Sequence, residues 1–150
     1  MFFLLLTLLI YIHKLEDSLF PCNCYIRIAV KNLVDNIPVF EKLLGVKCKA
    51  AGNISDQFVN TAIFEIGINK IELIESTDPH GPINSFIAKH GEGIHHFALA
   101  VENTDNALIH AKENGFKLID RISRKGAENL QVGFLNPKST NGVLIEYCSE

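Results

Sequence analysis

With 150 residues the chain is long enough for one domain, or for two small half-domains that share a core. At 47% hydrophobic and 21% charged it has the make-up of an ordinary globular protein. The net charge of −3, with no local run of Lys or Arg, excludes an electrostatic footprint for nucleic acid.

The first two dozen residues do not match the rest. Phe2-Phe3-Leu4-Leu5-Leu6-Thr7-Leu8-Leu9-Ile10-Tyr11-Ile12 is a continuous apolar run, too short to span a bilayer, so no stable membrane span is expected. No Lys or Arg precedes it, and no small-x-small cleavage site follows before Cys22, as an export signal requires. It has no Arg and carries Glu16 and Asp17, which makes a poor mitochondrial transit peptide. Three readings stay open: an atypical export signal, an apolar segment packed on the domain, or a misassigned start of the reading frame. The last is the expectation, because residues 1–24 have no counterpart in the repeat described below.

From residue 25 the elements follow in order. Tyr25–Val30 is rich in β-branched residues and reads as a buried strand. A helix follows, with Asp35 or Asn36 as its cap, Pro38 in its first turn and Gly45 at its end. Ile37, Phe40, Leu43 and Leu44 fall on one face of it. Val46–Lys49 is expected as a short strand, Ala51–Gln57 as a loop, and Val59–Ile66 and Lys70–Glu75 as strands around a turn at Gly67-Ile68-Asn69. That order is βαβββ. Thr77–Gly93 is a connector with turn signals at Asp78-Pro79 and Gly81-Pro82 and a short helix over Ile83–Lys89.

Then the unit recurs. His95–Val101 is a strand, Thr104 caps a helix whose Ala107, Leu108 and Ala111 face inward, and Gly115 ends it. Phe116–Ile119, Leu130–Leu135 and Gly142–Cys148 are the closing strands, with a turn over Asn136–Asn141. The fold class that follows is α+β, two tandem βαβββ modules forming a curved mixed sheet around a cleft. The modules cover about residues 25–76 and about 94–148, joined by a connector at about 77–93, as one domain over 25–150.

The repeat has a chemical content. His96-Phe97-Ala98-Leu99-Ala100-Val101 echoes Tyr25-Ile26-Arg27-Ile28-Ala29-Val30. Each phrase is followed, at nearly the same distance along the chain, by a strand carrying a carboxylate: Ile71-Glu72-Leu73 and Ile145-Glu146-Tyr147. Paired copies of the unit would bring His96, Glu72 and Glu146 to one place. Taken singly, Glu72 reads as a solvent-facing strand residue and His96 as a buried structural histidine. His95 and His96 are expected to point to opposite faces, with His96 inward. His80, His90 and His110 read as surface residues. Cys22, Cys24, Cys48 and Cys148 lack paired zinc-type spacing and read as reduced thiols without a chemical role.

Three stretches now point to a family: Gly91-Glu92-Gly93-Ile94-His95-His96, Leu118-Ile119-Asp120, and the long run Phe134-Leu135-Asn136-Pro137-Lys138-Ser139-Thr140-Asn141-Gly142-Val143-Leu144-Ile145-Glu146. Over roughly Tyr25 to Glu146 the chain resembles the vicinal-oxygen-chelate superfamily, which includes glyoxalase I. Within that superfamily it resembles the methylmalonyl-CoA epimerase family. The resemblance implies a cleft that binds a divalent metal, Co²⁺ or Mn²⁺, on Glu72, His96 and Glu146. The family's remaining His falls on Tyr25, whose neutral phenol is a poor ligand. It also implies an acyl-CoA thioester substrate and interconversion of (R)- and (S)-methylmalonyl-CoA in propionyl-CoA metabolism. In that reaction Glu146 and Asp56 serve as base and acid on opposite faces of C2, the latter where the family has a Glu. Lys138 and Ser139 are candidate contacts to the CoA phosphates. A homodimer is expected, in the cytoplasm of a bacterium or the mitochondrial matrix of a eukaryote, with secretion kept open by the apolar N-terminus.

Two other functions share this fold. One is a glyoxalase-type lyase acting on a glutathione hemithioacetal, against which the Asn136–Glu146 run argues. The other is a metal-free small-molecule-binding member, which Tyr25 favours and the retention of His96, Glu72 and Glu146 opposes. A ring-cleaving dioxygenase is disfavoured, because its two-His-one-carboxylate triad needs the missing His.

Overall fold

The computed structural model describes residues 24–126 and 129–150, Asp56 by its backbone alone. The apolar N-terminal run, and every expectation attached to it, lies outside the described residues. Among the described residues no helix is long and apolar enough to cross a membrane.

The chain runs β1 (Cys24–Ala29), α1 (Leu33–Leu44), β2 (Ala50–Ile54), β3 (Val59–Ile66), β4 (Asn69–Ser76), α2 (Pro82–His90), β5 (Gly93–Ala100), α3 (Thr104–Glu113), β6 (Arg124–Lys125), β7 (Gln131–Leu135) and β8 (Ile145–Ser149). The eight strands form one mixed sheet in the order β2-β3-β4-β1-β5-β8-β7-β6. The fold is thus α+β, built from two βαβββ modules. In each, the first strand lies parallel to the last: β1 with β4, and β5 with β8. The modules join where β1 and β5 run antiparallel at the centre of the sheet.

Helices α1 and α3 are fastened by side-chain caps. The side chain of Asn32 accepts the Asp35 N–H at the start of α1, and Gly45, at φ 69°, closes the helix by donating its N–H to the Glu41 carbonyl. Leu33 is buried against Val30, Ala62, Phe64 and Leu73, with Ile37, Phe40 and Leu44 packed on the same cluster. Asn103 caps α3 in the same way, accepting from Asn106. Thr104, 1% exposed, turns inward and donates its hydroxyl to the Gln131 carbonyl at 2.9 Å. Buried Leu108 comes so close to Gly133 on β7 that a Cβ there would stand 2.6 Å from Leu108 Cδ1.

Several boundaries differ from expectation for identifiable reasons. The caps are Asn32 and Asn103, not Asp35, Asn36 or Thr104, so Pro38 falls inside α1 rather than in its first turn. The second strand is Ala50–Ile54, not Val46–Lys49. Its first four residues are exposed and poor strand formers, and it exists through its ladder to β3. Phe116–Ile119 forms no strand and keeps one bridge, between Leu118 and Leu135. A few backbone bonds hold it to β7, Ile119 N–H to the Phe134 carbonyl and Asn136 N–H to the Lys117 carbonyl, and side chains add to them: Ser139 Oγ accepts the Lys117 N–H and Asp120 accepts the Phe134 N–H.

Candidate active site

The four central strands each contribute one polar side chain to a common point. In the parallel β1–β4 pair Arg27 is opposite Glu72, and in the antiparallel β1–β5 pair it is opposite His96. Glu146 on β8 is opposite Ala98 on β5. Glu72, His96 and Glu146 are 5%, 5% and 3% exposed. The sheet therefore brings together the three residues singled out in the sequence, and it adds a fourth.

That fourth residue is Arg27. Its Nε donates to Glu72 Oε2 at 2.6 Å and its Nη1 donates to Glu146 Oε2 at 2.9 Å, while Nη1 also lies 3.2 Å from His96 Nε2. His96 Nε2 is in turn 3.1 Å from Glu146 Oε2. Burial works against the charge of Arg27, but Glu146 and Glu72 outweigh it and raise the guanidinium's pKa above its usual value. Burial also works against the Glu146 carboxylate, but the His96 hydrogen bond and the Arg27 charge prevail and hold its pKa below the usual range. Both groups are ionised at neutral pH.

His95 joins the cluster unexpectedly. A bulge in the β1–β5 ladder passes from Arg27↔His96 to Ile28↔Ile94, leaving His95 as the extra residue. Neighbouring histidines thus meet instead of facing apart, with Nδ1 to Nδ1 at 2.7 Å. His95 stacks edge-on against Phe86 of α2, and His96 against Phe134 of β7. Burial, followed by the nearness of His96 and Arg27, lowers the His95 pKa to about 4, so it is neutral at pH 7. An arginine can only donate, which leaves two proton arrangements for the pair. Either His96 Nε2 accepts from Arg27 and its Nδ1–H points to His95, or His95 donates and His96 Nε2–H points to Glu146. Moving between them carries a proton along His95–His96–Glu146.

A cavity of about 280 Å³ opens over this cluster. Arg27, Glu72, His95, His96 and Glu146 line it, together with Arg124 and apolar side chains that include Val59, Ile74 and Phe134. A smaller cavity of about 190 Å³ lies beside it, and Arg27, Glu72 and Thr61 border both.

The remaining expected residues sit elsewhere. Asp56 belongs to a single 3₁₀ turn, Ser55–Gln57, whose neighbours Ile54 and Gln57 line the larger cavity. Lys138 is exposed in a second such turn, Pro137–Ser139. The Ser139 hydroxyl is engaged by its own loop, accepting from the Lys117 N–H and donating to the Asn136 carbonyl. Neither Lys138 nor Ser139 lines the cavity, whereas Arg124 does, beside Arg27. Tyr25 lines the smaller cavity, packs with Ala98, Val132 and Cys148, and carries the Lys70 ammonium over its ring at 5.0 Å.

This arrangement of strands has known relatives. Residues 24–134 match the Glyoxalase/Bleomycin resistance protein/Dioxygenase superfamily. The chain belongs to it. An uncharacterized protein of Bacillus subtilis is 36% identical over 124 residues, covering 83% of this chain and 89% of that protein. The mitochondrial methylmalonyl-CoA epimerase of Dictyostelium discoideum is 31% identical over 123 residues, covering 81% of this chain and 74% of the enzyme. Among solved structures, a hypothetical protein of Bacillus halodurans superposes with TM-score 0.80 at 40% identity, over 84% of this chain and 91% of its own. A methylmalonyl-CoA epimerase solved with methylmalonyl-CoA and NH₄⁺ superposes with TM-score 0.78 at 26% identity, over 87% and 94%.

The resemblance implies a divalent metal on Glu72, His96 and Glu146. The donor types suit such an ion, since two carboxylates and an imidazole are ordinary ligands. Their disposition does not, because the guanidinium of Arg27 is within hydrogen-bonding distance of all three. A dication among them would stand against a like charge at a few ångströms, a repulsion of several kcal/mol even with partial screening. Among the described residues no group of three or more His, Cys, Asp or Glu is disposed to hold a metal ion. The Co²⁺ or Mn²⁺ site, with Tyr25 at its fourth corner, therefore does not fit the side chains as they stand.

Proposed function

We propose that the chain epimerises an acyl-CoA thioester at C2, interconverting (R)- and (S)-methylmalonyl-CoA. The observation that carries the reading is Glu146, an ionised carboxylate 3% exposed, hydrogen-bonded to His96 on the floor of a cavity. Methylmalonyl-CoA epimerases among the relatives and structural neighbours support it.

The C2 proton of such a substrate lies between a carboxylate and a thioester carbonyl, which acidify it. Glu146 takes that proton from one face, and the C–H electron pair moves into the enolate. Asp56, in its protonated form, delivers a proton to C2 from the opposite face, and the two exchange roles in the reverse direction. The two histidines return the proton of Glu146 through His96 Nε2 and His95 Nδ1. Arg124, half-exposed at the cavity wall, suits the substrate's carboxylate. The apolar side chains of the cavity keep water from the enolate.

The test is to incubate (S)-methylmalonyl-CoA with the protein and follow the appearance of the (R) epimer. Approach to an equal mixture supports the reading, and a stable single epimer refutes it. A second reading, a small-molecule binder without chemistry, is favoured by one observation: Arg27 ties up all three polar side chains at once. It predicts binding of the thioester without loss of the C2 proton. We further propose a homodimer formed at one end of the sheet, β2 or β6, which light scattering on a sizing column would reveal. The proposed compartment is the cytoplasm in a bacterium or the mitochondrial matrix in a eukaryote.

A further inference from the structure

We propose that Arg27 is the resident cation of this site, and that the guanidinium contacts the acyl-CoA's developing oxyanion where other designs would use a divalent metal. The substrate half of this proposal rests on the reading above; the displacement of the metal does not.

The first argument is geometric. Three electron-rich atoms from three strands, Glu72 Oε2, His96 Nε2 and Glu146 Oε2, converge on one cation, and that cation is a side chain of the same chain. Two carboxylates buried together need a positive charge near them, and Arg27 supplies it without a ligand.

The second is the comparison of the two modules. In the parallel pairings, Arg27 faces Glu72 as Ala98 faces Glu146. The residue matching Arg27 is therefore Ala98, buried and too short to reach anything polar. By the same register Tyr25 matches His96, two residues earlier on each strand. The first module thus carries a phenol where the second has an imidazole, and a guanidinium where the second has a methyl group. Both differences lie on β1 and act in one direction: a metal ligand is lost and a fixed positive charge is gained.

The third concerns what the guanidinium has left to offer. Nε and Nη1 are engaged, whereas Nη2 has no partner among the described residues. Arg27 borders both cavities, so this donor is placed where a ligand oxygen can reach it. A planar N–H donor, fixed in advance by two carboxylates, is a sound partner for an oxygen that gains charge during reaction.

The experiment is a Co²⁺ titration of chelator-treated protein, followed by calorimetry and visible absorption. Wild type is expected to take up no stoichiometric Co²⁺. Arg27→Ala is expected to bind one equivalent at least about tenfold more tightly than wild type, with a thermal midpoint that rises on adding Co²⁺. Arg27→Lys keeps a positive charge, and it should fold and refuse the metal as wild type does. If Arg27→Ala does not fold, wild type and Arg27→Lys still decide the matter. One tight equivalent in wild type, lost in His96→Ala, overturns the proposal.

A second measurement is the binding of 2-nitronate-propionyl-CoA in EDTA. Wild type should bind it, and Arg27→Lys should bind it at least about tenfold more weakly, because a point charge does not reproduce the fork. Binding by wild type only when Co²⁺ is added overturns the proposal. No binding under either condition instead refutes the acyl-CoA reading and leaves the Co²⁺ titration to judge Arg27.

Discussion

Arg27 and Glu72 face each other across the parallel β1–β4 pair, joined by a 2.6 Å hydrogen bond, while at the matching register of β5 and β8 it is Ala98 that faces Glu146. One arginine therefore serves two carboxylates, its own strand partner and the counterpart from the other module.

This sharing makes Arg27 a stability residue as well. Removing one partner from a buried charge cluster leaves the others uncompensated, at about 3–5 kcal/mol. Arg27→Ala should lower the urea midpoint at pH 7 accordingly. The double variant Arg27→Ala/Glu146→Gln should recover part of the loss, because it removes one of the stranded charges. Equal midpoints for wild type and Arg27→Ala would show that the cluster contributes nothing to folding.

The two faces of the reaction separate by mutation. Glu146→Gln keeps the shape of the side chain but cannot take a proton, so epimerisation should fall about 10²–10⁴-fold. Asp56→Asn should slow epimerisation by a comparable factor, yet leave one epimer able to exchange its C2 proton with solvent through Glu146. Exchange measured separately on the (R) and (S) substrates checks this asymmetry. Unchanged exchange of both epimers in Asp56→Asn would remove Asp56 from the mechanism.

Stability should fall in mild acid. The His95 pKa is lowered from 6.5 to about 4 in the folded chain. Between those values the unfolded chain holds more proton than the native one, so stability rises with pH and this contribution is complete above 6.5. Glu146, with a folded pKa below its usual value, contributes above that value and loses the contribution as pH drops through the lowered one. Both losses run the same way, each by at most about 1.4 kcal/mol per pH unit. Urea midpoints between pH 7 and 4.5 should decline, and His95→Gln should flatten the upper part of the curve. A midpoint independent of pH across that window would contradict the assignment.

Gly133→Ala tests the contact between α3 and the sheet. The added methyl would meet Leu108 Cδ1 at 2.6 Å, so the helix must shift or Leu108 must change rotamer. Overpacking of this kind costs about 1–3 kcal/mol. The double variant with Leu108→Ala should show a smaller added penalty from the methyl than wild type does. Equal penalties in both backgrounds would exclude Leu108 as the obstacle.

The architecture was legible because the chain repeats itself. The echo between Tyr25–Val30 and His96–Val101 announces two like modules, and two carboxylates at matching places announce a shared site. What escaped was set by tertiary contacts. β2 is an exposed edge strand whose Ala50-Ala51-Gly52-Asn53 carries no strand signal of its own. The meeting of His95 with His96 depends on a bulge that no periodicity reveals. Arg27 was in plain view, since a residue two places from Tyr25 on a strand must share its face. A charged residue at an inward position of a central strand was the available signal, as such residues are seldom buried unless paired.

The most direct measurement is the exchange of the C2 proton of methylmalonyl-CoA for deuterium in D₂O, with the protein held in EDTA. The account predicts washout by wild type, at a rate that added Co²⁺ leaves unchanged, and its loss in Glu146→Gln for the epimer whose proton Glu146 removes. No washout by folded wild-type protein, with or without Co²⁺, would contradict it.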